Sequence, residues 1–228
     1  MNKIIRKIQY SEKVYRFDVE APLIAKSRKA GNFVIIRVDA NSERMPLTIA
    51  DADIEKGTIT LVVQKVGLSS NKLCNLNEGD EIHDVVGPLG NPTHIENFGT
   101  VLCAGGGVGV APMLPIIKAL KAAGNRVLSV IAGRSKDLVI MEDEVRASSD
   151  ELIIMTDDGS YGEKGVVTVG MEKLIQQEHI DKAFAIGPPI MMKFCCLLTQ
   201  KYNLPTDVSL NTIMVDGTGM CGACRLTI

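Results

Sequence analysis

The 228-residue chain contains no tryptophan, and aromatic residues make up only 4% of it. Stacking on bases or sugars is therefore not its main means of recognition. A dominant charge is missing too. Twenty-five Lys and Arg stand against 27 Asp and Glu, a formal net charge of −2, which argues against a broad basic surface for nucleic acid. No apolar run approaches the ~20 residues that span a bilayer, and no long apolar stretch follows the basic residues at the start, so neither a membrane span nor a signal peptide is expected. The expected setting is the cytoplasm. What is present is 46% apolar and 23% charged residues, enough aliphatic surface to bury a core and exclude general disorder. At roughly 100–200 residues per domain, the length suits one large or two small domains.

Disulfides are not expected in such a chain, although it has six cysteines. Cys74, Cys103, Cys195 and Cys196 sit among apolar neighbours and read as small buried hydrophobes. Cys221 and Cys224 differ, forming a Cys-x-x-Cys within the glycine-rich stretch 216–224. Such a pair chelates a metal, holds a cluster or does redox chemistry.

Periodicity divides the chain near residue 98. Before it lie short β-branched runs bounded by Gly, Asn and Asp: a hairpin over 4–21, then strands at 32–40, 57–67 and 80–87. Closely spaced strands without long helical patterns predict an antiparallel barrel over 1–98. After it, strand and helix alternate. Strands are predicted at 99–107, 125–133, 151–160, 182–189 and 207–216, with helices at 111–124, 138–148, 167–179 and 190–203. That alternation predicts a parallel sheet covered on both faces, over 99–210. Residues 211–228 form a third segment.

The glycine run Gly105–Gly109 closes a predicted strand and opens a predicted helix, where backbone N–H groups and the helix dipole suit a phosphate. Its spacing is not G-x-G-x-x-G. Gly187-Pro188-Pro189 and Thr156-Asp157-Asp158-Gly159-Ser160 end two other strands, and ligands of open parallel sheets bind at such carboxyl ends. Arg134 and Ser135 end the second strand, where they suit a 2′-phosphate or an ordinary loop. In the first region, Arg44-Met45-Pro46-Leu47-Thr48 and Gly87-Pro88-Leu89-Gly90 stand out, and Arg44 has the donor geometry to pair with a diphosphate. His83, His94 and His179 show no ligand spacing, and His179 is expected on a polar helix. Glu142, Asp143 and Glu144 read as a solvated helix face.

Together, R-x-P-L-T, G-P-L-G, GGGVGVAP, TDDGS and IGPP resemble the ferredoxin–NADP⁺ reductase superfamily over the whole chain. Within it, the chain is similar to the electron-transfer subunits of dihydroorotate dehydrogenase and to the small subunit of NADH-dependent ferredoxin:NADP⁺ oxidoreductase, also called sulfide dehydrogenase. The resemblance implies FAD between barrel and sheet. Arg44, Pro46, Leu47 and Thr48 would contact it, and Val66, Gly67, Ser69, Ser70, Gly87, Pro88, Leu89 and Gly90 would complete its cradle. Gly106, Gly107, Val108 and Gly109 would hold NAD(H) or NADP(H), with Asp157 and Gly187 bordering the pocket. It further implies a 2Fe–2S cluster held by four ligands, normally thiolates. Asp216, Cys221 and Cys224 match three of them. Asp216 replaces the first cysteine of the dihydroorotate dehydrogenase pattern and resembles the ferredoxin:NADP⁺ oxidoreductase subgroup. The fourth is absent from this sequence, which ends four residues after Cys224, and it is expected on a further segment.

The expected function is an electron-transfer flavoprotein subunit, passing electrons between nicotinamide nucleotide, FAD and a 2Fe–2S cluster to or from a larger flavoprotein or iron–sulfur partner. The chemistry belongs to the cofactors, so no catalytic side chain is expected. The alternatives are the dihydroorotate dehydrogenase subunit itself, a stand-alone NAD(P)H:flavin reductase, and a partner-binding module without cofactors.

Overall fold

The computed structural model describes residues 2–227. Met1 and Ile228, the outer limits of the expected first and third segments, lie outside the described residues. Two compact units are present, one of residues up to Thr93 joined by the stretch from Asn211, the other of His94–Leu210.

The first unit contains β1 (Asn2–Ser11), β2 (Val14–Glu20), α1 (Pro22–Ser27), β3 (Phe33–Arg37), β4 (Met45–Asp53), β5 (Thr58–Gln64), α2 (Leu68–Asn75), β6 (Glu81–Ile82) and β7 (Asp84–Leu89). The strands form one antiparallel sheet in the order β6-β1-β2-β5-β4-β3-β7. Its two edge strands, β6 and β7, are separated in sequence by His83 alone, so the sheet curls back on itself into a nearly closed barrel. Phe17, Val34, Ile36, Ile49, Ile59 and Leu61 fill the interior. Burying each such side chain contributes roughly 1.5–3 kcal/mol. Lys7 on β1 donates to the Cys74 and Leu76 carbonyls at 2.8 and 2.6 Å, placing a cation on the C-terminus of α2.

Three elements of this unit are not among those predicted: β4, α1 and α2. Strand β4 carries Met45–Thr48 of R-x-P-L-T, which the sequence alone leaves as a turn, and Arg44 precedes it.

The second unit contains β8 (Thr100–Gly106), a single 3₁₀ turn at Gly107–Gly109, α3 (Val110–Ala122), β9 (Arg126–Gly133), α4 (Glu142–Ser148), β10 (Glu151–Thr156), β11 (Glu163–Lys164), α5 (Val167–Gln177), β12 (Lys182–Ile186), α6 (Pro189–Lys201) and β13 (Thr206–Val208). All six strands are parallel, in the order β11-β10-β9-β8-β12-β13. The chain winds outward from β8 through β9 to β10, then returns past β8 to β12 and β13. Right-handed crossovers in opposite directions put α3 and α4 on one face and α5 and α6 on the other. Consistent with this, α3 packs on α4 and α5 on α6.

The division lies at Thr93/His94, five residues before the expected boundary. The reason is Asn125, whose buried Oδ1 accepts the N–H groups of Phe98 and Gly99 at 2.7 and 3.2 Å. Its Nδ2 donates to the Glu96 and Leu120 carbonyls, both at 2.8 Å, so 96–99 is fastened to the end of α3. The fifth predicted strand shrinks to the three residues of β13. His179 lies beyond the end of α5 rather than on it. Cys74, Cys103 and Cys195 are buried as expected, but Cys196 is only half-buried.

Candidate functional site

The two motifs of the first unit meet across β3. Phe33 pairs with Thr48 of β4 on one side and Leu89 of β7 on the other, and Ile35 pairs with Pro46 and Val86. R-x-P-L-T and G-P-L-G are therefore two strands apart, about 10 Å. Gly87 and Pro88 stand as two residues opposite the single residue Val34, a bulge that breaks the register. Met45 and Leu47 pack against the barrel core. Alternation then turns Pro46 and Thr48 to the outward face, alongside Phe33 and Ile35. Leu47 thus directs its side chain to the core.

Just before this face lies Arg44, exposed, with no partner for its guanidinium among the described residues. The turn leading to it is built by Asp39, which accepts the Asn41 N–H at 2.9 Å and the Lys72 ammonium at 3.0 Å. Lys72 also reaches the Ser42 hydroxyl at 3.3 Å. The Lys72 hydrogen bond, helped by Ser42, pulls the Asp39 carboxyl down to about 2. The start of α2 offers a further set of donors. Asn71 N–H makes the first helical bond, to Gly67, leaving those of Leu68, Ser69 and Ser70 pointing off the end. The Ser70 hydroxyl is buried and engaged. It accepts from the N–H groups of Val66 and Gly67 at 3.0 and 2.9 Å and donates to the Gly67 carbonyl at 3.0 Å. Ser70 therefore shapes this turn, while Val66 and Ser69 remain accessible.

Asn32 ties these parts together, and sequence reasoning missed it. Its backbone carbonyl accepts the Ile49 N–H of β4 at 3.1 Å. Its side-chain amide donates to the carbonyls of Leu89 at 3.2 Å and Gly90 at 2.9 Å. An asparagine before a strand reads locally as turn chemistry, and nothing nearby signals so distant a partner.

In the second unit, the chain reverses its winding between β8 and β12, which are hydrogen-bonded neighbours. A crevice at the carboxyl ends of two such strands is where open α/β sheets bind ligands. The turn Gly106-Gly107-Val108-Gly109 follows β8, and Gly187 follows β12. They touch: a Cβ on Gly109 would stand 2.5 Å from the Ile186 carbonyl oxygen and 2.7 Å from Gly187 Cα. Gly107 is different. Its φ is +54°, and a Cβ there would meet nothing within 4 Å. Its backbone therefore faces open space at the start of α3, whose first turn has no acidic residue to oppose an anion. At the end of β10, Thr156 is buried and holds Tyr161 by two hydrogen bonds. Asp158 accepts the Ser160 N–H at 2.9 Å, and bonds to Ser160 lower its pKa. Asp157 is tied by its N–H to Gly133, and its carboxylate is exposed. A cavity of about 290 Å³ lies at the opposite edge of this sheet, by His179, Asp181 and Tyr202, away from the glycine turns.

The stretch from Asn211 joins the first unit. Asp216 Oδ1 accepts the Thr218 N–H at 2.8 Å and Oδ2 that of Cys221 at 3.0 Å, and these bonds, Thr218 first, depress its pKa. Cys221 and Cys224 are exposed thiols. Among the described residues, no three His, Cys, Asp or Glu side chains are grouped to hold a metal ion. The three expected ligands are not grouped in this arrangement, in which Asp216 accepts N–H groups of its own loop.

Comparison with known proteins places these features. No family model matches the chain. It is 51% identical, over its full length and 80% of the relative's, to a homologue of the dihydroorotate dehydrogenase B (NAD⁺) electron transfer subunit from Thermotoga maritima. It is 31% identical to the dihydroorotate dehydrogenase B (NAD⁺) electron transfer subunit of Streptococcus pneumoniae strain R6, over 99% of this chain and 88% of the other. Among solved structures it resembles that of an NADH-dependent reduced ferredoxin–NADP oxidoreductase, studied for flavin-based electron bifurcation. The TM-score is 0.94 at 48% identity, covering 99% of this chain and 81% of that one.

Proposed function

This chain belongs to the family of dihydroorotate dehydrogenase B electron-transfer subunits and their homologues, and on that premise we propose that it carries electrons between a nicotinamide nucleotide held by the parallel sheet and an FAD held by the barrel. It is an oxidoreductase component whose relatives serve larger complexes, and the proposed recipient or donor is a larger flavoprotein or iron–sulfur subunit. A cytoplasmic setting fits that reading. Among the described residues, no helix is long and apolar enough to cross a membrane.

One observation carries the flavin reading: R-x-P-L-T and G-P-L-G flank a single strand on one outward face, beside an arginine with no partner among the described residues. That donor set fits a dinucleotide. The Arg44 fork and the free N–H groups of Leu68 and Ser69 suit a diphosphate. Pro46, Thr48, Phe33 and Leu89 offer a platform that is apolar apart from one hydroxyl, suited to a flat ring. When bound, FAD would supply the chemistry that accepts one hydride, two electrons with a proton, and releases the electrons singly. The chain's own residues bind and orient. Gly107 leaves room for a phosphate at the start of α3, with Gly106, Val108, Gly109 and Gly187 beside it, and Asp157, two strands away after β10, would border the pocket. Among the described residues, Asp216, Cys221 and Cys224 are not grouped to hold a metal ion.

The test is FAD titration of the flavin-free protein. The wild type should bind FAD stoichiometrically. Arg44→Ala should weaken binding by ~1.5–3 kcal/mol, the size of a hydrogen bond to a charged group. Equal affinity in the variant would remove Arg44 from the site, and no binding by the wild type would remove the flavin reading.

A further inference from the structure

Strand β3 alternates, and its residues Val34 and Ile36 fill the barrel core. Ile35 between them must face outward. An outward isoleucine is ordinarily wet, yet Ile35 is only 3% exposed. Part of its cover is the loop that carries the two exposed cysteines. A Cβ on Gly217 would stand 2.5 Å from Ile35 Cδ1 and 3.4 Å from Leu89 Cδ1. The loop backbone thus lies directly on β3 and on the leucine of G-P-L-G.

We propose that Gly217 is a positioning residue that seats the loop 216–224 on Ile35 and Leu89, making that loop a wall of the flavin platform. The inference deepens the flavin reading above and rests on it. The loop's shape is internally determined. Asp216 takes the N–H groups of Thr218 and Cys221, and the Thr212 hydroxyl donates to the Cys224 carbonyl at 3.1 Å. Its location is a separate matter, set by the close approach at Gly217. Ile35 pairs with Pro46 on one side and Val86 on the other, so the seat borders both flavin-facing motifs. Gly217 is thereby held beside the face where the ring is expected, which suits a loop that walls off solvent.

Gly217 has φ +76°, so any substitution also strains the backbone. Gly219 supplies the control, with φ +88° and nothing within 4 Å of its Cβ. Gly217→Ala adds strain and a collision, whereas Gly219→Ala adds strain alone. Ile35→Val removes the Cδ1 atom with which Gly217→Ala collides.

Two readouts are needed: methyl NMR of Leu89, for its contacts to residues 216–218, and the FAD dissociation constant of the full chain. Gly217→Ala should shift the Leu89 methyl signals, remove their contacts to the loop and weaken FAD about tenfold, the effect of losing one contact of ordinary size. Gly219→Ala, which adds strain without a collision, should keep the Leu89 contacts to the loop and weaken FAD far less than Gly217→Ala. The double variant Ile35→Val/Gly217→Ala should regain the Leu89 contacts and most of the affinity. Gly217→Ala behaving like Gly219→Ala would overturn the proposal, as would a wild type in which Leu89 shows no contact to the loop. Failure of the wild type to bind FAD would overturn the flavin reading instead, while the Leu89 contacts would still report on the seat.

Discussion

The side-chain amide of Asn32 donates to the carbonyl of Gly90 at 2.9 Å, joining residues 58 apart in sequence. With its bond to Leu89 and the backbone bond from Ile49, it fixes G-P-L-G relative to R-x-P-L-T. The spacing of the two motifs, set by β3 between them, is thus reinforced by one buried asparagine.

Asn32→Ala should consequently destabilise the protein by ~1–3 kcal/mol, since it removes the side-chain bonds to the Lys29 N–H and to the Leu89 and Gly90 carbonyls, each typically worth ~0.5–1.5 kcal/mol. It should also loosen FAD binding although Asn32 touches no ligand. Denaturant unfolding with parallel FAD titration checks both. Wild-type stability in the variant would mean that water replaces the amide at no cost.

Lys72 holds the turn that leads to Arg44. The depressed pKa of Asp39, about 2, means that the paired state is favoured above the ordinary carboxylate range and is lost as pH falls through the folded value. Lys72→Met should move the Asp39 titration up toward ~3.9, its unperturbed value. Carboxyl-detected NMR between pH 5 and about 1.5 reads it directly, across the window between those two pKa values. FAD affinity should fall in the same variant, because the Arg44 turn is no longer anchored. An unmoved Asp39 titration would show that the ion pair is not formed in solution.

Thiol reactivity separates the cysteines. Cys221 and Cys224 are exposed and should react with an aromatic disulfide reagent in the folded protein. Burial pushes the Cys103 thiol far up and that of Cys195 to about 12, so both should stay protected until unfolding. The Cys221→Ser/Cys224→Ser variant should lose the fast phase. Rapid labelling of Cys103 in the native state would contradict the packing of β8.

What was readable in advance follows from the range of each interaction. β5 and β8 announce themselves as continuous β-branched and apolar runs, and the glycine turn after β8 is recognisable because it follows such a run. β4 is hidden because Pro46, Asp51 and Asp53 give it the composition of a loop. Helices α1 and α2, six and eight residues long, are too short for a 3.6-residue period to emerge. Asn32 and Lys72 act on partners 58 and 33 residues away, and no local pattern encodes that. The residues around Asp216 were legible as a motif, but not as a loop folded onto its own carboxylate.

The proposed path takes electrons from a nicotinamide nucleotide bound at the Gly107 turn into a flavin held by the barrel. Anaerobic stopped-flow mixing of the FAD-loaded chain with NADH or NADPH tests it most directly. The account predicts saturable bleaching of the flavin absorbance by at least one of the two nucleotides. In Gly107→Asn, a residue that tolerates the left-handed backbone, the half-saturating nucleotide concentration should rise about tenfold or more, equivalent to ~1.4 kcal/mol of lost binding, with FAD content unchanged. A flavin that neither nucleotide bleaches, or bleaching indifferent to Gly107→Asn, would contradict it.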